Sequence, residues 1–206
     1  MTTSANSVVI LDFETSGLSP DMGDRAIEVG AVRLENGVVK ARFQELMNPG
    51  RRIQPFIEQL TGITNAMLQD APPCKDVMPR FADFIGDSNL VAHNASFDRR
   101  FLDAELSYIG RSYSGSFACS VLASRRIYTD APSHKLGEIL KYLEIPTGEG
   151  FHRALYDAEM TAKLWCRLLD DMSERFNLVD PPFTLMQKLE KTAKKSVPNM
   201  LAKWTQ

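Results

Sequence analysis

The chain has 206 residues, 44% of them hydrophobic and 24% charged, and its 24 Lys and Arg against 26 Asp and Glu leave a formal charge of −2. That length holds one well-buried domain with a modest extension, and the mix of residues excludes a disordered or fibrous chain and a membrane-spanning one. A negative balance also argues against broad phosphate binding by Lys and Arg, unless the contact is local or bound metal supplies the charge.

Residues 1–7 are small and polar and show no signal pattern, and Cys74, Cys119 and Cys166 lie far apart without a CxxC pair. A cytoplasmic, reducing setting is expected. Residues 8–14 read as a buried strand, short, apolar and β-branched ahead of Gly17. Period two places Asp12 and Glu14 on one face of it. A run over 26–34 meets another over 38–47 across Asn36-Gly37, the pair that a type I′ hairpin turn favours. Three antiparallel strands therefore open the domain. Helical and strand signals then alternate: a helix over 76–85, a strand over 89–92, a helix over 96–109, a strand or bend over 117–120, a helix ending near Tyr128, and helices over 134–143 and 154–172. The order implies an α/β fold with a mixed five-stranded sheet flanked by helices.

The texture changes after residue 172. Asp180-Pro181-Pro182 leads into a stretch with Lys188, Lys191, Lys194, Lys195 and Lys203 against the single acid Glu190. Residues 1–172 are expected to form the domain and 173–206 a basic tail or helix, either packed on the domain or contacting nucleic acid or a protein partner. Trp165 and the apolar tail residues are expected to pack internally or across a homodimer.

Three segments carry acids where acids are unusual. Asp12 and Glu14 share a face of an apolar strand, and charged groups are seldom buried without partners. Asp98 stands in His93-Asn94-Ala95-Ser96-Phe97-Asp98, where a strand gives way to a helix. An acid in a first helical turn is favoured by the helix dipole, and Asn94 or Ser96 would serve as a cap, so this segment alone says little. The third segment, His152-Arg153-Ala154-Leu155-Tyr156-Asp157, enters the last strong helix. At 3.6 residues per turn Ala154, Ala158, Thr161, Trp165 and Leu168 form its inward stripe, and Asp157 falls inside that stripe. It must meet an arginine or a metal beneath the helix. His152 precedes the helix and need not share that face, which suits a mobile base better than a fixed ligand.

Converging carboxylates repel: two unit charges roughly 4 Å apart interact by about 4 kcal/mol at an effective dielectric near 20. Divalent metal removes that penalty, and hard ions such as Mg²⁺ take carboxylate oxygens while keeping positions open for water and phosphate. The chemistry favoured is phosphoryl transfer, with a histidine of ordinary pKa near 6.5 able to accept the proton of water.

Asp12-Phe13-Glu14-Thr15-Ser16-Gly17, His93 to Asp98 and His152 to Asp157 together resemble the three motifs of the DnaQ-like DEDDh 3′–5′ exonucleases, a family that includes the proofreading epsilon subunit of bacterial DNA polymerase III and ribonuclease T. The likeness spans roughly residues 8–172. It implies a ribonuclease-H-like αβα fold, two Mg²⁺ or Mn²⁺ ions held by Asp12, Glu14, Asp98 and Asp157, His152 as general base, and release of nucleoside 5′-monophosphates from a 3′ end. DNA with single-stranded or frayed ends is the favoured substrate, with RNA trimming as in ribonuclease T or a non-catalytic nucleic-acid-binding module as the alternatives. Leu60-Thr61-Gly62-Ile63 is similar to the family's loop beside the terminal nucleotide, so Leu18 and Leu60 are expected against its base and Thr15 and Phe97 as further substrate contacts. Ser16 departs from a second Thr found in many members but keeps the hydroxyl. The segment after residue 172 does not resemble the long polymerase-binding extension of the epsilon subunit.

Overall fold

A computed structural model of the chain describes residues 3–148, 150 and 152–204. Strand β1 (Val8–Thr15) pairs antiparallel with β2 (Ala26–Glu35), which pairs antiparallel with β3 (Val38–Leu46). The β2–β3 turn has positive φ at both Asn36 (52°) and Gly37 (75°), as a type I′ turn requires. Helices α1 (Pro55–Thr61), α2 (Asn65–Asp70) and α3 (Cys74–Ile85) follow, then β4 (Leu90–Ala92), α4 (Ala95–Tyr108) and β5 (Phe117–Cys119). Helices α5 (Ser120–Ile127), α6 (Leu136–Tyr142), α7 (Ala154–Phe176), α8 (Phe183–Lys191) and α9 (Val197–Leu201) complete the order. The sheet runs β3-β2-β1-β4-β5, with β4 parallel to β1 and β5 parallel to β4. This is the mixed five-stranded sheet expected from the sequence.

Alternation along β1 divides the core. Val9, Leu11 and Phe13 join α3 and α4 in one buried cluster, while Val8 and Ile10 join α5 to α9 in the other. Asp12 and Glu14 continue the Val8 and Ile10 parity, so they emerge on the α7 side of the sheet where its hydrophobic cover ends. Helix α7 buries Ala154, Ala158, Thr161, Trp165 and Leu168, the anticipated stripe, and Asp157 with them. It runs past residue 172 to Phe176 and stops at Asn177, whose left-handed φ of 53° closes it.

One feature departs from the sequence expectation, and another falls on one of the alternatives it left open. Helices α1 and α2 span 7 and 6 residues, too few for an apolar period to declare itself. Their signals are local instead: a proline at the first turn of α1, Gly62 with φ 70° at its end, and Thr64 capping α2 through the Met67 N–H. After residue 172, Phe183, Leu185, Met186 and Leu189 of α8 and Val197, Met200 and Leu201 beyond it are buried in the same cluster as Trp165. Trp165 itself is enclosed within the chain, its indole N–H donating to the Ala5 carbonyl at 2.9 Å. Among the described residues no helix is long and apolar enough to cross a membrane.

Candidate active site

The edge of β1 where hydrophobic cover ends receives side chains from two helix starts. Asp98, buried in the first turn of α4, accepts the backbone N–H of Phe13 at 3.1 Å and so fastens α4 to β1 between Asp12 and Glu14. Neither residue expected to cap α4 does so. Asn94 stands at the cap position in a left-handed conformation, φ 83°, with no side-chain bond to the helix. From the other side comes α7. Gly30 of β2 lies opposite Asp12, and a Cβ there would sit 2.0 Å from the Leu155 nitrogen, so only glycine lets the first turn of α7 rest directly on the sheet.

That approach brings Asp157 to the acids of β1. Glu14, His152 and Asp157 offer ligand atoms that all lie within 4.8 Å of one another. Among the described residues Asp157 has no arginine partner. One carboxylate oxygen accepts the His152 backbone N–H at 3.0 Å, and the other is buried with no hydrogen bond to any described residue. His152 is exposed, with φ 66°, a backbone conformation that costs a non-glycine residue energy and is retained here by the bond to Asp157. Glu149 and Phe151, which flank this turn in sequence, lie outside the described residues.

The arginine at the start of α7 serves another acid. Fully buried Glu28 of β2, directly opposite Glu14, accepts Arg153 Nε at 3.1 Å and Nη2 at 2.7 Å, the Ala154 N–H at 3.0 Å and Gln44 Nε2 at 2.9 Å. Sequence reasoning passed over Glu28, although a lone acid among Ala26, Ile27, Val29 and Ala31 is the same anomaly that marked Asp12. An isolated glycine two positions on, inside a strand, was a second signal of close backbone approach.

Electrostatics follow from this crowding. Burial, then the charges of Asp98, Glu14, Asp157 and Glu28, raise the Asp12 carboxyl well above its ordinary range. Burial pushes Glu14 up to about 8, with Asp157 and Glu28 adding to it. Asp98 rises to about 7 through burial, opposed by the Phe13 N–H, and Asp157 to about 6 through burial, opposed by the His152 N–H. Acids held this way with an orphaned buried oxygen fit a hard divalent cation, which would satisfy that oxygen and cancel the repulsion.

The remaining sequence candidates differ in their surroundings. Leu18 and Leu60 project into solvent, 78% and 42% exposed. Thr15 is buried and its hydroxyl donates to the Gly17 carbonyl at 2.6 Å, shaping the turn that leads to Leu18. Ser16 accepts the Arg25 N–H at 3.0 Å, so the hydroxyl retained at this position closes the β1–β2 loop. Phe97 is half-buried beside Phe101, with ring centroids 5.1 Å apart.

Half-buried acids at the end of a central strand, met by buried acids from two helix starts with an imidazole beside them, define a hydrolase whose acidic centre can hold divalent metal. Residues 9–165 match the family described as Exonuclease, RNase_T. The chain belongs to that exonuclease family, in its DnaQ-like branch, and is an enzyme of it. It is 32% identical over 184 residues to the DNA polymerase III subunit epsilon of Aquifex aeolicus, covering 89% of each chain. It is 35% identical over 166 residues to the PolC-type DNA polymerase III of Caldanaerobacter subterraneus subsp. tengcongensis, but spans only 12% of that protein's length. Among solved structures, exonuclease X in complex with 5′ overhanging duplex DNA matches with a TM-score of 0.68 and 28% identity over 89% of this chain and 99% of that one. The nuclease domain of 3′hExo, a DEDDh family member bound to rAMP, shares the fold with a TM-score of 0.67 at 21% identity, over 81% of this chain and 92% of that one.

Proposed function

We propose that the chain hydrolyses phosphodiester bonds at the 3′ end of nucleic acid, DNA with single-stranded or frayed ends foremost, and releases nucleoside 5′-monophosphates. The observation that carries the reading is Asp157, a buried acid on an apolar helical stripe with one oxygen unpartnered and Glu14 and His152 within ligand reach. Asp12, Glu14, Asp98 and Asp157 would hold two divalent ions, Mg²⁺ or Mn²⁺. Such ions supply positive charge to the scissile phosphate and to the oxygens that enter and leave it.

The chain's own residues do the rest. His152, exposed at the mouth of the cluster, accepts the proton of the attacking water on its imidazole, while its backbone N–H keeps it tied to Asp157. Leu18 and Leu60 pack on the terminal base, and Thr15 and Phe97 shape the floor of that contact. DNA ends are favoured because the epsilon relative is a DNA polymerase subunit and the exonuclease X relative was solved on duplex DNA. Proofreading or repair of DNA ends is the corresponding setting.

The test is a degradation assay on end-labelled single-stranded DNA, duplex DNA with recessed or overhanging 3′ ends, and RNA. Stepwise shortening from the 3′ end that depends on Mg²⁺ or Mn²⁺ is expected, fastest on DNA. No metal-dependent shortening of any substrate would end the proposal, and faster degradation of RNA would reassign the substrate.

A further inference from the structure

A cavity of about 760 Å³ opens beside the turn that carries Asp98, between α5 and the segment leading into α6. Its volume is in the range of ligand sites, roughly 300–1,000 Å³. His93, Asn94 and Ser96 form one wall, Arg125 another, and His134 and Lys135 the third. Among the described residues no carboxylate lines it, in a chain where acids outnumber bases.

The two cations there are unspent. Among the described residues every arginine other than Arg52 and Arg125 has an acid, a backbone carbonyl or an aromatic ring as partner. Arg125 and Lys135 are both exposed, and among the described residues neither side chain has a hydrogen bond or ion pair. The wall behind them is fixed. His93 is bonded through one ring nitrogen to the Ser120 hydroxyl and through the other to the His134 carbonyl, each at 2.9 Å, which ties the 132–135 segment to the turn before α4. Burial lowers His93 to about 4, so it is a neutral strut and Arg125 and Lys135 carry the fixed charge. Half-buried Val121, Leu122 and Leu136 supply an apolar floor between the cations.

A cationic rim over an apolar floor fits a phosphodiester with its attached sugar and base. The cavity also begins at Asn94 and Ser96, in the same turn as Phe97 and Asp98. We infer that Arg125 and Lys135 hold phosphates of the strand upstream of the 3′-terminal nucleotide, so that this cavity, and not the molecule's net charge, supplies the electrostatic part of nucleic-acid binding. This rests on the exonuclease reading of the neighbouring carboxylates. It also gives the negatively charged chain a local phosphate contact, one of the two sources of positive charge that its composition left open.

Binding without catalysis separates the two. The full chain is titrated with a fluorescent single-stranded DNA of about ten nucleotides in EDTA, followed by anisotropy over a range of salt, for the natural protein, Arg125→Ala with Lys135→Ala, and Arg52→Ala. Each cation that meets a phosphate contributes about 0.7 to the slope of log K against log salt for a single strand. The double variant should therefore lose about 1.4 of that slope and bind roughly ten-fold or more weakly at low salt, independent of base sequence, while Arg52→Ala binds as the natural protein does. With Mg²⁺ present, the double variant should lose kcat/KM on the oligonucleotide but cleave the p-nitrophenyl ester of thymidine 5′-monophosphate, which is too short to reach the cavity, at the natural rate. Unchanged slope and affinity, or an equal loss in Arg52→Ala, would overturn the inference. So would an acidic peptide competing for the cavity while DNA affinity is indifferent to both substitutions. Absence of hydrolysis by the natural protein would instead count against the exonuclease reading, with the binding arm still deciding the cavity. An RNA of the same length bound with the same slope change extends the site to both nucleic acids, since the phosphodiester is common to them.

Discussion

Replacing Glu28 by Gln isolates what holds the catalytic turn in place. The buried carboxylate accepts four N–H groups at 2.7 to 3.1 Å, from Arg153 twice, Ala154 and Gln44. Gln keeps one acceptor oxygen but turns an N–H toward groups that already donate. A hydrogen bond to a charged group contributes about 1.5–3 kcal/mol, more than a neutral one. The Arg153 side chain is 39% exposed, so water takes up part of the loss and the lower end applies. Relief opposes this, because the Glu28 charge is among the causes that raise Asp12, Glu14 and Asp157. The net expectation is a metal-free protein destabilised by about 1–2 kcal/mol, a fall in Tm of roughly 2–8 °C for a domain of this size. Catalysis should suffer more than stability. Arg153 and Ala154 follow His152 directly and open the helix bearing Asp157, and a displacement of about 1 Å can cost about 100-fold. In steady-state kinetics on a DNA oligonucleotide, kcat should fall about 10- to 100-fold with KM changed less than about three-fold. A drop in Tm with kcat intact would refute the reasoning and make Glu28 an ordinary core partner.

Asp12→Ala should abolish cleavage yet leave the metal-free fold as stable or more so near neutral pH, because one of the repelling acids is gone; calorimetry and the degradation assay together check this. His152→Gln should reduce kcat by about 10²- to 10⁴-fold while the divalent ion still raises Tm, as a base and not a required ligand would. Stability should also depend on pH in a defined direction. Glu14, Asp98 and Asp157 bind protons more tightly in the fold, at about 8, 7 and 6, than carboxyls do in an unfolded chain. Their contribution is therefore fully present below about pH 4 and is lost as pH rises through about 6 to 8. Metal must displace those protons, so the gain in Tm on adding Mg²⁺ should grow from about pH 5 to about pH 8.5, and a gain that stays flat would argue that these acids do not bind it.

The acids that could be found in the sequence were those whose oddity is local. Period two exposed Asp12 and Glu14 on a strand, and the 3.6-residue period exposed Asp157 on α7, before any tertiary contact was known. Asp98 was ambiguous for a physical reason, since a first-turn acid satisfies the helix dipole whether or not it does anything else. Glu28 was missed because its meaning lies in Arg153, 125 residues away, and no period in β2 announces that partner. The arginine pair considered for Asp157 is not made among the described residues: Arg153, at the start of α7, neutralises Glu28 and leaves Asp157 open. Beyond residue 172 the lysine count drew attention to charge, whereas Phe183, Met186 and Leu189, at helical spacing, were the residues that the fold buries.

Glu28 is one of two buried acids used in the same way. Glu105 of α4 accepts Arg25 Nε at 2.8 Å, Arg25 Nη2 at 2.6 Å and the Ala26 N–H at 3.1 Å. In each case a buried carboxylate takes an arginine and the backbone N–H of the alanine after it. Each pair also pins a segment next to the site: Arg153-Ala154 follows His152, and Arg25-Ala26 closes the loop that carries Leu18. With the carboxylate buried and the arginine partly in water, breaking such a pair costs more than an exposed pair is worth, which is less than about 1 kcal/mol, and less than breaking a fully buried one. The fold thus places its strongest ionic contacts at the two chain segments that border the repelling carboxylates. Acids that would push the site apart without metal are met by acids that are already neutralised and hold its edges together.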